Sequence, residues 1–243
     1  MALTEAQIKA LPVMPKDTKA VAGKDTLMYI ALSQDPLTWL LLGGQKNSPV
    51  SLKAGSLDGS DKTSGGWSKN IAGMKSWSIE YDGLFVLNDT ALDVVRHQFR
   101  EGQPIYARIE YPDGSYMQGW AAITEFSDSN ASDAIHTLKI SLTGYGAISD
   151  FITPAAAAIA TPSATMPAAM PADQVVDVTP TDVTIRGITD DGTGRQLVFG
   201  ADYTFAAGKL TLKKEYLKAL TKGVHTLSVK FAASTIPVKV TIS

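Results

Sequence analysis

Strict alternation of apolar and polar residues from Ser76 to Asp82 is the strongest constraint in this sequence. Trp77, Ile79 and Tyr81 occupy every second position, and the residues between them are serines and the acids Glu80 and Asp82. Because successive side chains of a strand point to opposite faces, this pattern predicts a half-buried β-strand with one apolar face and one acidic, solvated face. Further strands are needed to cover the apolar face.

The segments on either side of this strand indicate a mainly β domain with one helix. Apolar runs before and after Asp35-Pro36 predict a hairpin, and alternating runs on both sides of residues 112–115 predict another. Leu92, Val95 and Phe99 recur at helical spacing, which predicts an α-helix over about residues 89–101. We therefore expect residues 1–151 to form an antiparallel β-sandwich or barrel-forming domain with this single helix.

Residues 45–74 are rich in Ser, Gly, Asn and Lys, and only residues 49–53 resemble a strand. We therefore predict a long loop, and loops of this length inside a compact domain are usually functional. Trp67 in this segment has two interpretations. It either folds back to cap the domain core or packs on a neighbouring copy, since tryptophan is enriched at interface hot spots.

Composition changes twice more along the chain. Residues 152–173 contain four prolines and many alanines and have no charge before Asp173, which predicts a semi-extended linker. Residues 174–243 contain about seven short apolar runs separated by turn residues, which predicts an immunoglobulin-like β-sandwich.

Composition excludes several functional classes. The chain has no cysteine, and its three histidines are far apart, so neither thiolate chemistry nor a zinc site of the usual kind is expected. Residues 1–152 carry 13 basic and 17 acidic side chains, which disfavours tight nucleic-acid binding. We expect no membrane insertion, because no apolar run approaches the ~20 residues that span a bilayer. We also expect no cofactor and no catalytic or metal-binding residues, because no phosphate loop, nucleophile motif or zinc motif occurs.

Several short segments make residues 20–150 resemble the major tail proteins of long-tailed phages that infect Gram-positive bacteria. They are residues 40–47 (LLLGGQKN), 62–67 (KTSGGW), 72–79 (AGMKSWSI), 82–83 (DG), 111–114 (YPDG) and 119–120 (GW). Residues 200–205, 212–217 and 223–227 look like bacterial immunoglobulin-like modules appended to cellulases and surface proteins. Some tail proteins carry such a domain on the outside of the tube.

The resemblance implies a structural protein of the virion that forms rings of six, which stack into the tail tube through which DNA is ejected. Its partners would be further copies of itself, a tape measure, a tail terminator and DNA in transit without specific binding, with host cell-surface glycans as a further candidate. Assembly would take place in the host cytoplasm. By position, the long loop of the family matches residues 45–74.

From that match we expect inter-subunit contacts at six residues of the loop segment: Leu52, Lys53, Leu57, Trp67, Ile71 and Met74. Glu80 and Asp82 are the candidates for residues that face the lumen, since the lumen of the family is commonly acidic.

Two other functions remain open at this stage. One is a cell-surface polysaccharide-binding protein with residues 174–243 as the binding module. The other is an enzyme that uses Glu80 and Asp82 as a carboxylate pair, although residues i and i+2 on an exposed strand more often form a solvated acidic face.

Overall fold

The structure is a computed structural model that describes residues 23–160, 163–166 and 172–243, with the backbone alone for 163–166. Its elements fall into two sets, each built around a core of its own. We use the name N-terminal region for the elements between residues 23 and 151, and C-terminal region for those from residue 152 onward.

The N-terminal region is one eight-stranded antiparallel sheet with one α-helix. Its elements are β1 (Leu27–Gln34), β2 (Leu37–Leu41), β3 (Gln45–Asn47), β4 (Val50–Asp58), β5 (Asn70–Leu84), α1 (Thr90–Glu101), β6 (Ile105–Glu110), β7 (Tyr116–Ser129) and β8 (Thr137–Gly144). The strand order is β2-β1-β6-β7-β8-β5-β3, and β4 pairs with β5 beside β3. The prediction of a mainly antiparallel β region with one helix is confirmed.

The alternation in β5 has the predicted effect. Trp77, Ile79 and Tyr81 are buried in the core, whereas Glu80 and Asp82 are exposed on the opposite face. Two polar groups of these core residues find partners on nearby backbone: the Trp77 indole N–H donates to the Gly146 carbonyl at 2.9 Å, and the Tyr81 hydroxyl donates to the Gly43 carbonyl at 2.7 Å. The strand is thereby anchored at both ends of its buried part.

Helix α1 covers the core face of this sheet. It begins after Asp89, whose carboxylate accepts hydrogen bonds from the backbone N–H groups of Ala91 and Leu92. It ends at Gly102, which has a φ of +63°, a conformation that glycine adopts without strain. The other carboxylate oxygen of Asp89 accepts from the Gly43 N–H at 2.7 Å, so the same side chain caps the helix and holds the end of β2.

The prediction of a long loop over residues 45–74 is wrong. Strands β4 and β5 pair from Val50↔Ile79 to Asp58↔Asn70, so most of this segment is a β-hairpin. The sequence pattern does not reveal this hairpin because neither strand has a buried face at this end, and alternation is visible only where one face is apolar. Only residues 59–69 form the connecting turn.

The C-terminal region consists of two four-stranded sheets that enclose one core. Its elements are β9 (Ala158–Ile159), β10 (Ser163–Met166), β11 (Gln174–Thr179), β12 (Gly187–Asp190), β13 (Tyr203–Ala206), β14 (Lys209–Leu212), α2 (Lys214–Lys218), β15 (Gly223–Lys230) and β16 (Thr235–Ile242). The strand orders are β10-β16-β15-β12 and β13-β14-β11-β9. The immunoglobulin-like assignment itself stays a prediction.

The prediction of a linker over residues 152–173 is wrong for residues 158–159 and 163–166, whereas residues 153–157 have no regular structure. β9 pairs with β11, and β10 pairs with β16 in parallel. Proline prevents hydrogen bonding only at its own nitrogen, so the residues between the prolines remain free to join a sheet. Residues 161, 162 and 167–171 of the predicted linker lie outside the described residues.

Candidate assembly surfaces

The hairpin of β4 and β5 projects beyond the sheet, and we call its part from residue 50 to residue 77 the arm. β8 pairs with β5 only from Ser78 onward, and β4 pairs with β5 alone. From residue 70 to residue 77, the rise per residue of a strand gives the arm a reach of about 25 Å. Along this reach neither outer edge of the ribbon pairs with another strand of the described residues.

Large apolar side chains of the arm are exposed to water. The six residues predicted to make inter-subunit contacts are all exposed: Leu52, Lys53, Leu57, Trp67, Ile71 and Met74. The exposed fraction reaches 83% for Trp67 and 91% for Met74. Leu57 and Ile71 lie directly opposite each other in the register and therefore form one apolar pair on the same face.

The interpretation of Trp67 as a cap on the domain core is wrong, because its side chain is exposed and belongs to neither core. The turn that carries it is held by local polar contacts. The Lys69 N–H donates to the Ser60 hydroxyl at 2.8 Å, and the Gly59 N–H donates to the Lys69 carbonyl at 2.8 Å. Hydrogen bonds from Thr63 lower the pKa of the Asp61 carboxyl in the same turn. The turn thus presents the indole outward without apolar support.

Carboxylates line the sheet face opposite the core, and we call this surface the acidic strip. It comprises Glu80 and Asp82 of β5, which are exposed, and Glu125 of β7, which is half-buried. β8 lies between them, with Ser141 opposite Glu80 and Lys139 opposite Asp82. Glu125 also pairs with Ser141 in the register, so the three strands bring Glu80 and Glu125 to one serine.

A short polar chain connects Glu80 and Glu125 of the acidic strip. The Ser141 hydroxyl lies 2.6 Å from a Glu80 oxygen and 3.1 Å from a Glu125 oxygen. The Lys139 ammonium contacts the same oxygen of Glu125 at 2.9 Å. Hydrogen bonds from Lys139, Ser127 and Ser141 lower the pKa of the Glu125 carboxyl, and the carboxylate raises the pKa of Lys139. Carboxylates nevertheless outnumber the one cation.

Sequence reasoning found Glu80 and Asp82 but missed Glu125, Lys139 and Ser141. A β-bulge between Ile123 and Glu125 interrupts the alternation of β7, so the sequence pattern does not show on which face of the sheet Glu125 lies. Lys139 lies between the apolar residues Leu138 and Ile140, and this alternation predicts that its side chain is exposed. Within the described ranges, no group of three or more acidic or histidine side chains is arranged to hold a metal ion.

Two family models match the chain. The model described as phage tail tube protein matches residues 20–150, more than half of the sequence. The model described as carbohydrate binding domain X2 matches residues 159–242. No match is found among curated proteins.

Solved structures that are similar include tail assemblies and a glycoside hydrolase. The tail of an empty gene transfer agent particle is 26% identical, with 54% of this chain and 98% of that chain covered and a TM-score of 0.48. The SPP1 tail tube is 15% identical. The match covers 52% of this chain and 77% of that chain, with a TM-score of 0.45. A tri-modular endo-β-1,4-glucanase from Bacillus licheniformis is 14% identical. The match covers 53% of this chain and 35% of that chain, with a TM-score of 0.34. All three TM-scores lie below 0.5, so these likenesses establish no shared assembly.

Proposed function

Since this chain belongs to the phage tail tube protein family, we propose that it polymerises as stacked hexameric rings into the tube through which phage DNA is ejected. The family is structural and is not an enzyme family, and the chain is accordingly a structural protein of the virion tail. Among the residues that the structure describes, none of the helices combines the length and the hydrophobicity that a membrane-spanning helix requires. The number six derives from the resemblance to the family.

The arm is the observation that carries the polymerisation proposal. A two-stranded ribbon is marginally stable in water, and unpaired strand edges offer N–H and C=O groups to another chain. Exposed apolar side chains on such a ribbon favour burial against a partner, at about 25 cal/mol per Å² of apolar surface. We propose that this partner is another copy, in the same or the next ring, and that Leu57, Ile71, Trp67 and Met74 supply the contact.

The acidic strip supports the second half of the proposal. A surface on which carboxylates outnumber the one cation repels the phosphates of DNA, so a duplex is not retained by it. We propose that Glu80, Asp82 and Glu125 face the lumen and let DNA pass without specific binding. Cryo-electron microscopy of assembled tubes tests this directly, because the strip must line the lumen and not the outer surface.

Electron microscopy and light scattering over a concentration series test the polymerisation proposal. We expect the wild-type protein to form rings or tubes, and Leu57→Ser/Ile71→Ser to require a concentration at least about tenfold higher. The matched control is Val198→Ser/Val224→Ser, which removes two equally exposed apolar side chains outside the arm and leaves assembly unchanged. Equal assembly of the arm variant and the wild type would contradict the role of the arm.

Contacts with other tail proteins extend the same proposal. A tube of stacked rings has two free ends, and a tape measure and a tail terminator are the partners that the family resemblance implies. If the arm contacts the next ring, the arms of one terminal ring have no subunit to cover them, and we then expect the arm variant to weaken the contact at that end as well.

Glycan binding by the C-terminal region is a second candidate, favoured by the match to carbohydrate binding domain X2. Sugars commonly stack on exposed aromatic rings, yet the five aromatic side chains of residues 172–243 are buried or half-buried. Binding would therefore depend on polar contacts at this surface. Co-sedimentation of the protein with cellulose and with bacterial cell walls tests this candidate, and no retention on either would reject it.

A further inference from the structure

Two charged side chains of β6 are buried on the side of the N-terminal sheet that faces away from its core. We call this side of the sheet at β6 its outer face. In β6, Ile105, Ala107 and Ile109 point into the core, so Arg108 and Glu110 point away from it. Their exposed fractions are nevertheless only 1% and 2%. Arg and Glu are almost never fully buried unless they are paired, so another part of the molecule must cover and pair them.

Arg108 is enclosed by both regions. Its Nη1 donates to the backbone carbonyl of Asp182 in the C-terminal region at 2.7 Å, and its other nitrogens donate to the Gln118 amide oxygen. Its guanidinium lies 4.3 Å from the ring centroid of Trp39 and 3.8 Å from that of Tyr116. Such stacking on two aromatic faces stabilises a desolvated cation.

Glu110 is paired with the same segment of the C-terminal region. Its carboxylate contacts Arg186 Nε at 3.0 Å and accepts a hydrogen bond from the Thr184 hydroxyl. Arg186 also donates to the Tyr111 carbonyl at 3.1 Å, and the Tyr116 hydroxyl donates to the Asp182 carboxylate at 2.7 Å. Residues 182–186 therefore satisfy the charges that β6 presents on its outer face.

Apolar and backbone contacts extend this junction. Phe199 packs against both cores. Ile152 and Tyr116 exchange two backbone hydrogen bonds of 2.9 Å each, which fastens the start of the connecting segment to β7. In the turn between β6 and β7, a Cβ placed on Gly114 would lie 3.5 Å from the Ala232 Cβ.

We infer that the C-terminal region is docked on the outer face of the N-terminal sheet as a rigid part of each subunit, with residues 182–186 as its docking segment. A different packing of the C-terminal region over β6 would leave Arg108 or Glu110 buried without these partners, so the charge match selects this one docked arrangement over other packed ones. A module carried on a mobile tether would need no such charge-matched surface. The inference concerns contacts inside one chain and is independent of whether the subunit polymerises.

Disulfide trapping tests the docking directly, because the chain contains no cysteine of its own. Disulfides require Cβ atoms about 3.5–4.5 Å apart, so Gly114→Cys/Ala232→Cys meets the requirement only when the regions are docked. The matched control is Gly114→Cys/Val224→Cys. Val224 is exposed in the same strand that leads to Ala232, but the strand rise puts it roughly 20 Å or more away.

Under mild oxidation we expect the 114/232 pair to close within one chain at least about tenfold faster than the 114/224 pair. Similar rates for the two pairs would indicate a mobile tether and overturn the inference. Failure of the first pair to close in a folded protein would overturn it as well. Gels run without reductant separate closure within one chain from links between chains.

Small-angle X-ray scattering gives a test without a substitution at Gly114, where a φ of +87° strains any side chain. The sample is the Leu57→Ser/Ile71→Ser variant under conditions in which it is monomeric. We expect the same compact profile at 50 mM and 500 mM salt, because salt screens buried pairs far less than exposed ones. A profile that expands, or one that fits only a mixture of separated arrangements, would refute rigid docking.

Discussion

The arm and the junction between the two regions differ in which side chains they bury. The arm exposes Leu57, Trp67 and Met74 to water, whereas the junction buries Arg108 and Glu110. Both features run against the usual preference of these side chains, but the junction has its partners within the chain and the arm has none among the described residues. The difference separates a contact that is complete in one subunit from a surface that needs a second subunit.

The largest effect is expected from removing one partner of the junction. Arg186→Met leaves the Glu110 carboxylate buried without its cation, which we expect to lower the free energy of unfolding by about 3–5 kcal/mol. Urea unfolding of the full chain measures it. The double variant Glu110→Leu/Arg186→Met removes both charges and should recover most of the loss.

The matched control for this prediction is Arg96→Met, which breaks an exposed ion pair with Asp93 on helix α1. We expect it to cost roughly 0.5 kcal/mol or less. A loss from Arg186→Met no larger than this control would mean that water reaches the junction, and the comparison with the arm would fail.

Stability against pH gives a smaller and more specific effect. Burial raises the pKa of Glu110 above its ordinary value of 4.5, against the opposing influence of Thr184 and Arg186. The native state therefore binds more protons than the unfolded state between 4.5 and the raised pKa. The stability of the wild type relative to Glu110→Gln is fully present below 4.5 and is lost as the pH rises through that window.

Urea unfolding of the wild type and Glu110→Gln at a series of pH values above 4.5 measures this difference. A relative stability that increases with pH would show that the cations at the junction outweigh its burial, with a carboxyl pKa below the ordinary value.

For the arm we expect almost no change in the stability of the isolated subunit. Leu57→Ser/Ile71→Ser removes side chains that water already reaches, so the free energy of unfolding of the monomer should change by about 0.5 kcal/mol or less. Thermal or urea unfolding at a concentration below assembly checks it. A loss of about 2 kcal/mol would indicate that the arm packs on its own chain, which would remove the contrast with the junction.

The smallest effect is expected in the acidic strip. Lys139→Met removes the main hydrogen bond that lowers the pKa of Glu125, so that pKa should rise toward its ordinary value while the melting temperature stays the same. An NMR titration of the Glu125 side chain measures it, with Ser127→Ala as the control for a weaker donor. An unchanged pKa would mean that Lys139 does not hold this carboxylate in solution.

Part of the fold is predictable from sequence because its patterns are local. The alternation around Trp77 and Tyr81 identified the central strand and its two faces. The spacing of Leu92 and Val95, with Asp89 before them and Gly102 after them, identified helix α1. In these segments one face is buried, so the period of the apolar residues reports the geometry of the backbone.

The arm illustrates where local patterns end. Leu57 and Ile71 lie opposite each other in a ribbon that buries neither face. The sequence of the ribbon therefore has no regular spacing of apolar residues and resembles that of a loop. Six contact residues were nevertheless expected in this segment, on the basis of family resemblance and not of pattern. All of them are exposed, and their contacts with a second copy remain a proposal.

Sequence alone shows which strands and which helix have an apolar side to bury, because burial of one face imposes a period on neighbouring residues. What covers the other faces depends on tertiary packing. Glu110 pairs with Arg186, and Ser141 contacts both Glu80 and Glu125. These partners are far apart in the sequence, and the residues between them give no sign of the contact. A charged side chain on the polar face of a strand has the same sequence signature whether it faces water or a buried partner. The difference therefore depends on how distant segments pack.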